Sequence, residues 1–242
     1  MLQRFLSLLS PLDWGALVLF LCGWFGYSYV ADRAKRSARG LRGVTHLRRI
    51  EWAREMTQRE NRITDASLIG DLKASVSFYA NATIYIIAGL IAVAGTLERV
   101  VSFTEELPFA RQTSRELLEA KMFVLIGTFI FAYFKFTWSL RQFNMACVLV
   151  GAAPKVPLEA EEESDYIERS WRVSHLAAEH FNYGLRAYYF ALAAMTWFLN
   201  GWLFMGAATW VAFVLYWREF RSDALESIKR EKEGTSMNER NT

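Results

Sequence analysis

Lys121 to Pro154 reads KMFVLIGTFIFAYFKFTWSLRQFNMACVLVGAAP, a run with the composition of a membrane span that nevertheless carries its own charges. From Met122 to Phe134 it is almost wholly apolar; Lys135, Arg141, Gln142 and Asn144 then come with no Pro or Gly to end a helix. At a rise of about 1.5 Å per residue, Lys135 stands about 20 Å and Arg141 about 30 Å beyond Lys121, against a hydrocarbon core about 30 Å thick. Arg141 is therefore expected at an interface, and Lys135 about two turns short of it, where its aliphatic stem can carry the ammonium to the headgroups. The segment inserts in either case, because a Lys at the bilayer centre costs about 2.5 to 3.5 kcal/mol and each Phe, Ile or Leu offsets about 0.3 to 0.6. Phe143, Met145, Cys147, Val148, Leu149 and Val150 prolong the apolar pattern past Arg141. That predicts a helix that leaves the membrane and is covered there by protein.

The rest of the composition agrees with a membrane class. Of 242 residues, 53% are hydrophobic and 15% aromatic, with nine Trp, which is too apolar and too aromatic for an ordinary soluble domain. The net charge of +3 is too small to indicate nucleic acid, and no nucleic-acid-binding signature accompanies it. Cys22 and Cys147 both lie in apolar runs without ligand spacing, so neither a disulfide framework nor a zinc site is expected.

Toward the N-terminus, Trp14 to Ala31 is uncharged and long enough to span. Only Arg4 offers a positive n-region and no small-residue cleavage site closes the run, so it reads as an uncleaved first span. Asp13 precedes it and Arg33, Lys35, Arg36, Arg39 and Arg42 come after it, which places the N-terminus outside the cytoplasm by the positive-inside rule. Val44 to Lys73 alternates basic and acidic residues, with Glu55 and Arg59 at i,i+4, and is expected to be one long cytoplasmic helix. The ten basic residues from Arg33 to Arg62 outnumber the four acidic ones from Asp32 to Glu60, so this region is also expected to meet anionic headgroups. Ala74 to Leu97 is the second span. Ala88, Ala92 and Thr96 stand at i, i+4, i+8, the spacing that lets helix backbones approach, so this span is expected to be the most protein-buried, with Asn81 as interhelical glue or a ligand contact. Glu98 to Lys121 reads as an external loop interrupted by Pro108, with Ser114 to Lys121 a short amphipathic lead-in to the third span.

Toward the C-terminus, an acidic patch from Glu159 to Glu168 leads into a cytoplasmic helix over about 165–186. It carries His175, Glu179 and His180 in the order H-x-x-x-E-H, which matches neither common zinc pattern, so ordinary polar residues are expected there and no metal. Ala187 to Trp217 is uncharged for 31 residues, about 46 Å as a straight helix, too long for one bilayer without marked tilt. Asn200-Gly201 sits at its middle between Trp197 and Trp202, as in a helical hairpin; a single tilted helix is the alternative. The tail 223–242 is read as cytoplasmic, and disordered beyond Gly234.

These readings give an all-α polytopic membrane bundle of four to five spans, at about 14–31, 74–97, 122–141 and 187–217, the last one long span or a hairpin split at 200–201. Residues 1–222 form a single domain. The chain resembles a family of bacterial and plant membrane proteins known as domain of unknown function 599. The likeness rests on Asn61-Arg62-Ile63-Thr64-Asp65, Ser75-Val76-Ser77-Phe78, Phe134 to Asn144, Gly151-Ala152-Ala153-Pro154, His180 to Phe190, and Arg218-Glu219-Phe220-Arg221-Ser222. Tyr79 to Ala82 departs from the Phe-Ala-Ser-Thr run of such proteins. The resemblance implies the fold and no particular chemistry.

Two functions stay open. One is an oligomeric channel or transporter subunit in which Lys135, Arg141, Asn144, Asn81 and Arg186 line a basic route for anions or lipid phosphates. The other is a non-catalytic scaffold or regulatory protein that docks a cytoplasmic protein partner through its helices and the Glu159 to Glu168 patch. An enzyme is not expected: no span contains a carboxylate, and no paired acids, phosphate-cradling loop or activated nucleophile stands out. No cofactor is implied. Membrane lipids are expected partners, the inner membrane the expected location, and homo-oligomerisation the expected assembly.

Overall fold

The computed structural model describes residues 9–35, 40–96, 115–154, 159–221 and 226–227. Of the loop expected over 98–121, residues 98–114 lie outside the described residues, as do Arg36, Arg39 and the tail beyond 227, while residues 115–121 are helical. Among the described residues there are six α-helices: α1 (Pro11–Lys35), α2 (Leu41–Thr57), α3 (Ile63–Ala94), α4 (Arg115–Gly151), α5 (Ala160–Met195) and α6 (Gly201–Phe220), with a 3₁₀ turn over Thr196–Phe198. Their starts reflect local chemistry. Pro11 takes the first turn of α1, where its missing N–H costs nothing, and Ser10 Oγ accepts from the Asp13 amide at 3.2 Å. Asn61 Oδ1 accepts from the Ile63 amide at 3.0 Å to open α3, and Asn200 Oδ1 from the Trp202 amide at 2.9 Å to open α6.

α4 is the axis. Its 37 residues extend about 55 Å, and 44% of its most apolar stretch is buried against 17% for α1 and α3. α5 runs antiparallel beside it along nearly its whole length. Lys121 meets Trp197 at one end, Ser139 Oγ donates to the Ala177 carbonyl midway at 2.7 Å, and Tyr166 OH donates to the Leu149 carbonyl at 2.9 Å near the other end. α3 is antiparallel to α4 on another side: Leu90 and Ala94 pack beside Leu118 and Met122, and the Tyr79 ring lies 5.7 Å from that of Phe136. α6 returns along α5, so that the Arg218 guanidinium covers the Tyr189 ring at 5.5 Å. α1 runs alongside α6, with Tyr27 OH donating to the Leu215 carbonyl at 3.2 Å.

The bundle therefore has a hairpin end, where α5 turns into α6, and a polar end, where α2 packs on α5. Among the described residues, three helices are long and apolar enough to cross a membrane: α1 over Pro11–Arg33, α3 and α4. At about 48 Å and 55 Å, α3 and α4 exceed the hydrocarbon core, and both overrun it at the polar end. There Met56, Ile69, Phe143, Ala146, Val150 and Tyr166 form one apolar cluster drawn from four helices. The expected cover on the end of α4 is thus present on one face, while Met145 and Val148 point outward.

Three local expectations change. The helix expected over 44–73 is two: α2 stops at Thr57, whose hydroxyl donates to the Arg54 carbonyl at 2.6 Å, and Asn61 starts α3, which runs straight into the second span. The helix at 165–186 is likewise not separate from the apolar run after it, because no breaker stands near Arg186 and α5 continues to Met195. The span most buried by protein is α4, not α3. Ala88, Ala92 and Thr96 face outward, and α3 packs through Val76, Ala80 and Thr83 instead. A small-residue stripe permits close approach without dictating it, and larger buried area against Phe136 and Phe143 decides the face.

Candidate functional site

The polar groups inside the bundle gather at two levels. At the hairpin end, Trp197 is 1% exposed, its Nε1 donates to Asp13 Oδ1 at 2.8 Å, and Lys121 Nζ donates to the Trp197 carbonyl at 3.0 Å while lying 3.9 Å from Asp13. Three elements are thereby tied at one point: the start of α1, the start of α4 and the turn before α6. A buried cation and a buried carboxylate answer each other, so this is a structural clasp.

At the other level, the end of α1, the start of α2, the middle of α5 and the end of α6 meet around two carboxylates and two guanidinium groups. Asp32 accepts from Arg186 Nη2 at 3.1 Å, Arg42 Nη1 at 3.2 Å and Tyr183 OH at 3.0 Å. Glu219 accepts from the Arg42 amide at 3.1 Å and from Arg42 Nε at 3.3 Å. The Arg186 guanidinium is sandwiched between Tyr27 and Tyr183, 5.2 Å and 5.1 Å from their ring centres. A Cβ at Gly40 would meet Glu219 Oε1 at 2.8 Å, so a larger residue in the turn into α2 would displace the Glu219 carboxylate. The cluster is neutral overall, two cations against two anions.

Of the residues expected from the sequence to line a basic route, Lys135 and Arg186 are brought together through Tyr183, whose ring lies 5.6 Å from Lys135 Nζ. The others stay apart. Arg141 is exposed and lies over Trp138 at 5.6 Å, Asn144 is exposed one turn further along α4, and Asn81 is exposed on α3. Sequence reasoning misses Asp32, Arg42, Tyr183 and Glu219 as a group. Their signal is faint: each stands at the edge of an apolar run and reads alone as an interfacial residue, and their pairing spans 177 residues of chain for Arg42 and Glu219.

Beyond this level the polar end is a folded helical module. Asp65, fully buried, accepts from Trp52 Nε1 and Arg59 Nη1, both at 2.7 Å. Arg62 Nη2 donates to the Pro154 carbonyl at 3.0 Å, joining the start of α3 to the end of α4, and the Thr57 hydroxyl, shared between the Arg54 carbonyl and Glu163, lies 2.8 Å from the Glu163 carboxylate. Burial holds the Arg49 guanidinium below its ordinary pKa, with Ser174 Oγ accepting from it at 2.7 Å. His46 Nδ1 and His175 Nδ1 are 3.3 Å apart beside a pocket of about 270 Å³, and His175 Nε2 lies 3.7 Å from Glu179. Among the described residues no three His, Cys, Asp or Glu side chains form a group that could hold a metal ion.

A bundle with three membrane-length apolar helices, internal ion-pair clasps at two levels and a polar helical module at one end is a membrane-embedded protein of the all-helical class. The chain belongs to the family described as protein of unknown function, DUF599, which matches residues 15–224. Among curated proteins and solved structures, none matches it. The runs that carry the sequence resemblance meet in space: Arg62 of the Asn61 to Asp65 run bonds the carbonyl of Pro154, and Gly184 of the His180 to Phe190 run admits the Phe136 ring.

Proposed function

We propose that the protein is a non-catalytic membrane scaffold that carries a rigid helical module on the cytoplasmic side of the inner membrane and docks a partner there. The observation that carries this reading is the neutralisation of Arg186 by Asp32: the one fully buried cation of the expected basic route is consumed by a carboxylate within the bundle, and Arg141, Asn144 and Asn81 face outward. A conducting route needs polar groups that converge on a common passage, and these do not. The polar module, in contrast, is held by buried polar contacts at Asp65, Arg62 and Thr57, as a surface that must present a fixed shape would be.

In this reading the basic end, with Arg33, Arg42, Arg48 and Arg49, is cytoplasmic, the hairpin end faces outward, and α5 and α6 form a helical hairpin that brings both Glu168 and Arg221 to the cytoplasmic side. Glu161, Glu162 and Asp165 are exposed at the tip of the module and suit a partner with a basic surface. Assembly with a second copy belongs to the proposal, with the outward Ala88, Ala92 and Thr96 face of α3 as its seam. The test is photo-crosslinking in cells from a reactive residue at Glu162, with and without Lys at Glu161 and Asp165. A defined adduct that the charge reversals remove supports docking. No adduct, together with Lys135-dependent anion flux in proteoliposomes, would return the function to transport.

A further inference from the structure

Three cations are embedded along the apolar part of the bundle, and they differ in how they are answered. Lys121 is met by the Trp197 carbonyl and Asp13, and Arg186 by Asp32. Lys135 is half-buried between the rings of Phe131 and Tyr183, 5.2 Å and 5.6 Å from its Nζ. Among the described residues no carboxylate pairs with it and no oxygen accepts from its ammonium. Aromatic faces stabilise a cation without satisfying its three N–H groups, so the charge still calls for an anionic oxygen.

Lys135 faces an open cleft of about 410 Å³ between α1, α4 and α5. On α4 the cleft runs along Phe123, Val124, Gly127, Thr128, Phe131 and Lys135, a single stripe of the helix about 18 Å long. Its walls are apolar and aromatic, and Phe25, Phe123 and Phe131 at its rim are exposed. A side chain at Gly127 would touch nothing, so this glycine leaves the floor open. A cleft about as long as one leaflet's hydrocarbon depth, opening sideways and ending at an unanswered ammonium, has the shape and charge of one lipid: acyl chain along the stripe, phosphate at Lys135.

We propose that this cleft is a specific site for an anionic phospholipid, drawn from the leaflet that Lys135 faces, with its phosphate bound by Lys135 and one acyl chain lying over Gly127. The site is independent of the scaffold reading, since it needs no protein partner and no passage through the bundle. Selectivity comes from the headgroup charge, and retention from the buried chain.

The full-length protein in nanodiscs or mild detergent, titrated with phosphatidylglycerol or phosphatidylcholine and read by native mass spectrometry, tests this directly. The parent protein is expected to retain one phosphatidylglycerol about fivefold more strongly than phosphatidylcholine, the factor one basic group near a headgroup supplies. Lys135→Met should abolish that preference, Lys135→Arg should keep it, and Gly127→Leu should weaken retention of both lipids by filling the floor. Lys73→Met, a basic residue of α3 outside the cleft, should change neither. Equal retention of the two lipids by the parent, or an undiminished preference in Lys135→Met, overturns the proposal.

Discussion

Gly184 of α5 sits directly against the ring of Phe136 on α4: a Cβ built on the glycine would lie 2.5 Å from Phe136 Cε1 and 2.6 Å from Cδ1. Phe136 is 0% exposed and has nowhere to move, so a methyl group at position 184 must part the two longest helices of the bundle. Gly184→Ala is expected to cost about 1 to 3 kcal/mol in thermal unfolding of the detergent-solubilised protein, in the range of core overpacking. Adding Phe136→Leu removes the ring that the methyl group strikes, so the double variant should lose less than the two single losses together. Strict additivity would mean that the two residues are not in contact.

The Arg186 and Asp32 pair should show the asymmetry of an ion pair whose cation is buried and whose carboxylate is partly open to solvent. Arg186 is 3% exposed, and removing Asp32 leaves its charge with Tyr183 and Tyr27 alone. Asp32 is 35% exposed and partly screened, so Asp32→Ala is expected to destabilise by about 1 to 3 kcal/mol, while the double variant Asp32→Asn with Arg186→Met recovers much of that loss. Melting curves of the three proteins decide it. A double variant as unstable as Asp32→Ala would mean that the charge pair is not what was lost.

Asp65 holds the junction of α2 and α3. Asp65→Ala leaves the part-buried Trp52 indole N–H without its acceptor, while the exposed Arg59 guanidinium turns to solvent, and an unmet donor of that kind costs about 1 to 3 kcal/mol. Hydrogen exchange should rise in α2 and in the first turns of α3, while the apolar half of α4 stays protected. Uniform loosening of the whole chain would contradict a separately held module.

His180 gives the polar end a pH dependence. Burial first and the neighbouring Lys135 second lower its pKa below the ordinary 6.5, with Glu179 opposing; the Trp138 and Tyr183 rings complete its surroundings. The unfolded chain then takes up the proton more readily than the folded one. Its contribution to stability is therefore complete above about pH 6.5 and declines as the pH falls through that value toward the depressed folded-state pKa. His180→Gln should flatten the change in melting temperature between about pH 7.5 and pH 5.5. An unaltered slope would assign the dependence to other groups.

The apolar runs are legible in the sequence because hydrocarbon length is a constraint on consecutive residues. The overrun of α4 is visible in Phe143 to Val150, and the break at Asn200-Gly201 in a turn pair set within an uncharged run. The division between α2 and α3 is hidden, since Gln58 to Asn61 contains no Pro or Gly and the break depends on a side-chain cap. The ion-pair cluster is hidden for a different reason. Arg42 and Glu219 are 177 residues apart, and nothing local distinguishes a guanidinium that will find a buried carboxylate from one that will reach a headgroup. The outward face of α3 is misjudged from sequence because small residues allow contact without requiring it, whereas Phe136 and Phe143 draw the opposite face inward.

In the proposed topology the hairpin end and the polar end lie on opposite sides of a bilayer, with α6 returning to the side from which α5 came. Membrane-impermeant maleimide labelling in oriented vesicles measures this, using single cysteines at Glu116, Glu168 and Arg221, all exposed, with Cys22 and Cys147 replaced by Ser. Glu168→Cys and Arg221→Cys are expected to label from the same side, and Glu116→Cys only from the other. Labelling of Arg221→Cys together with Glu116→Cys, or of all three from one side, would contradict it.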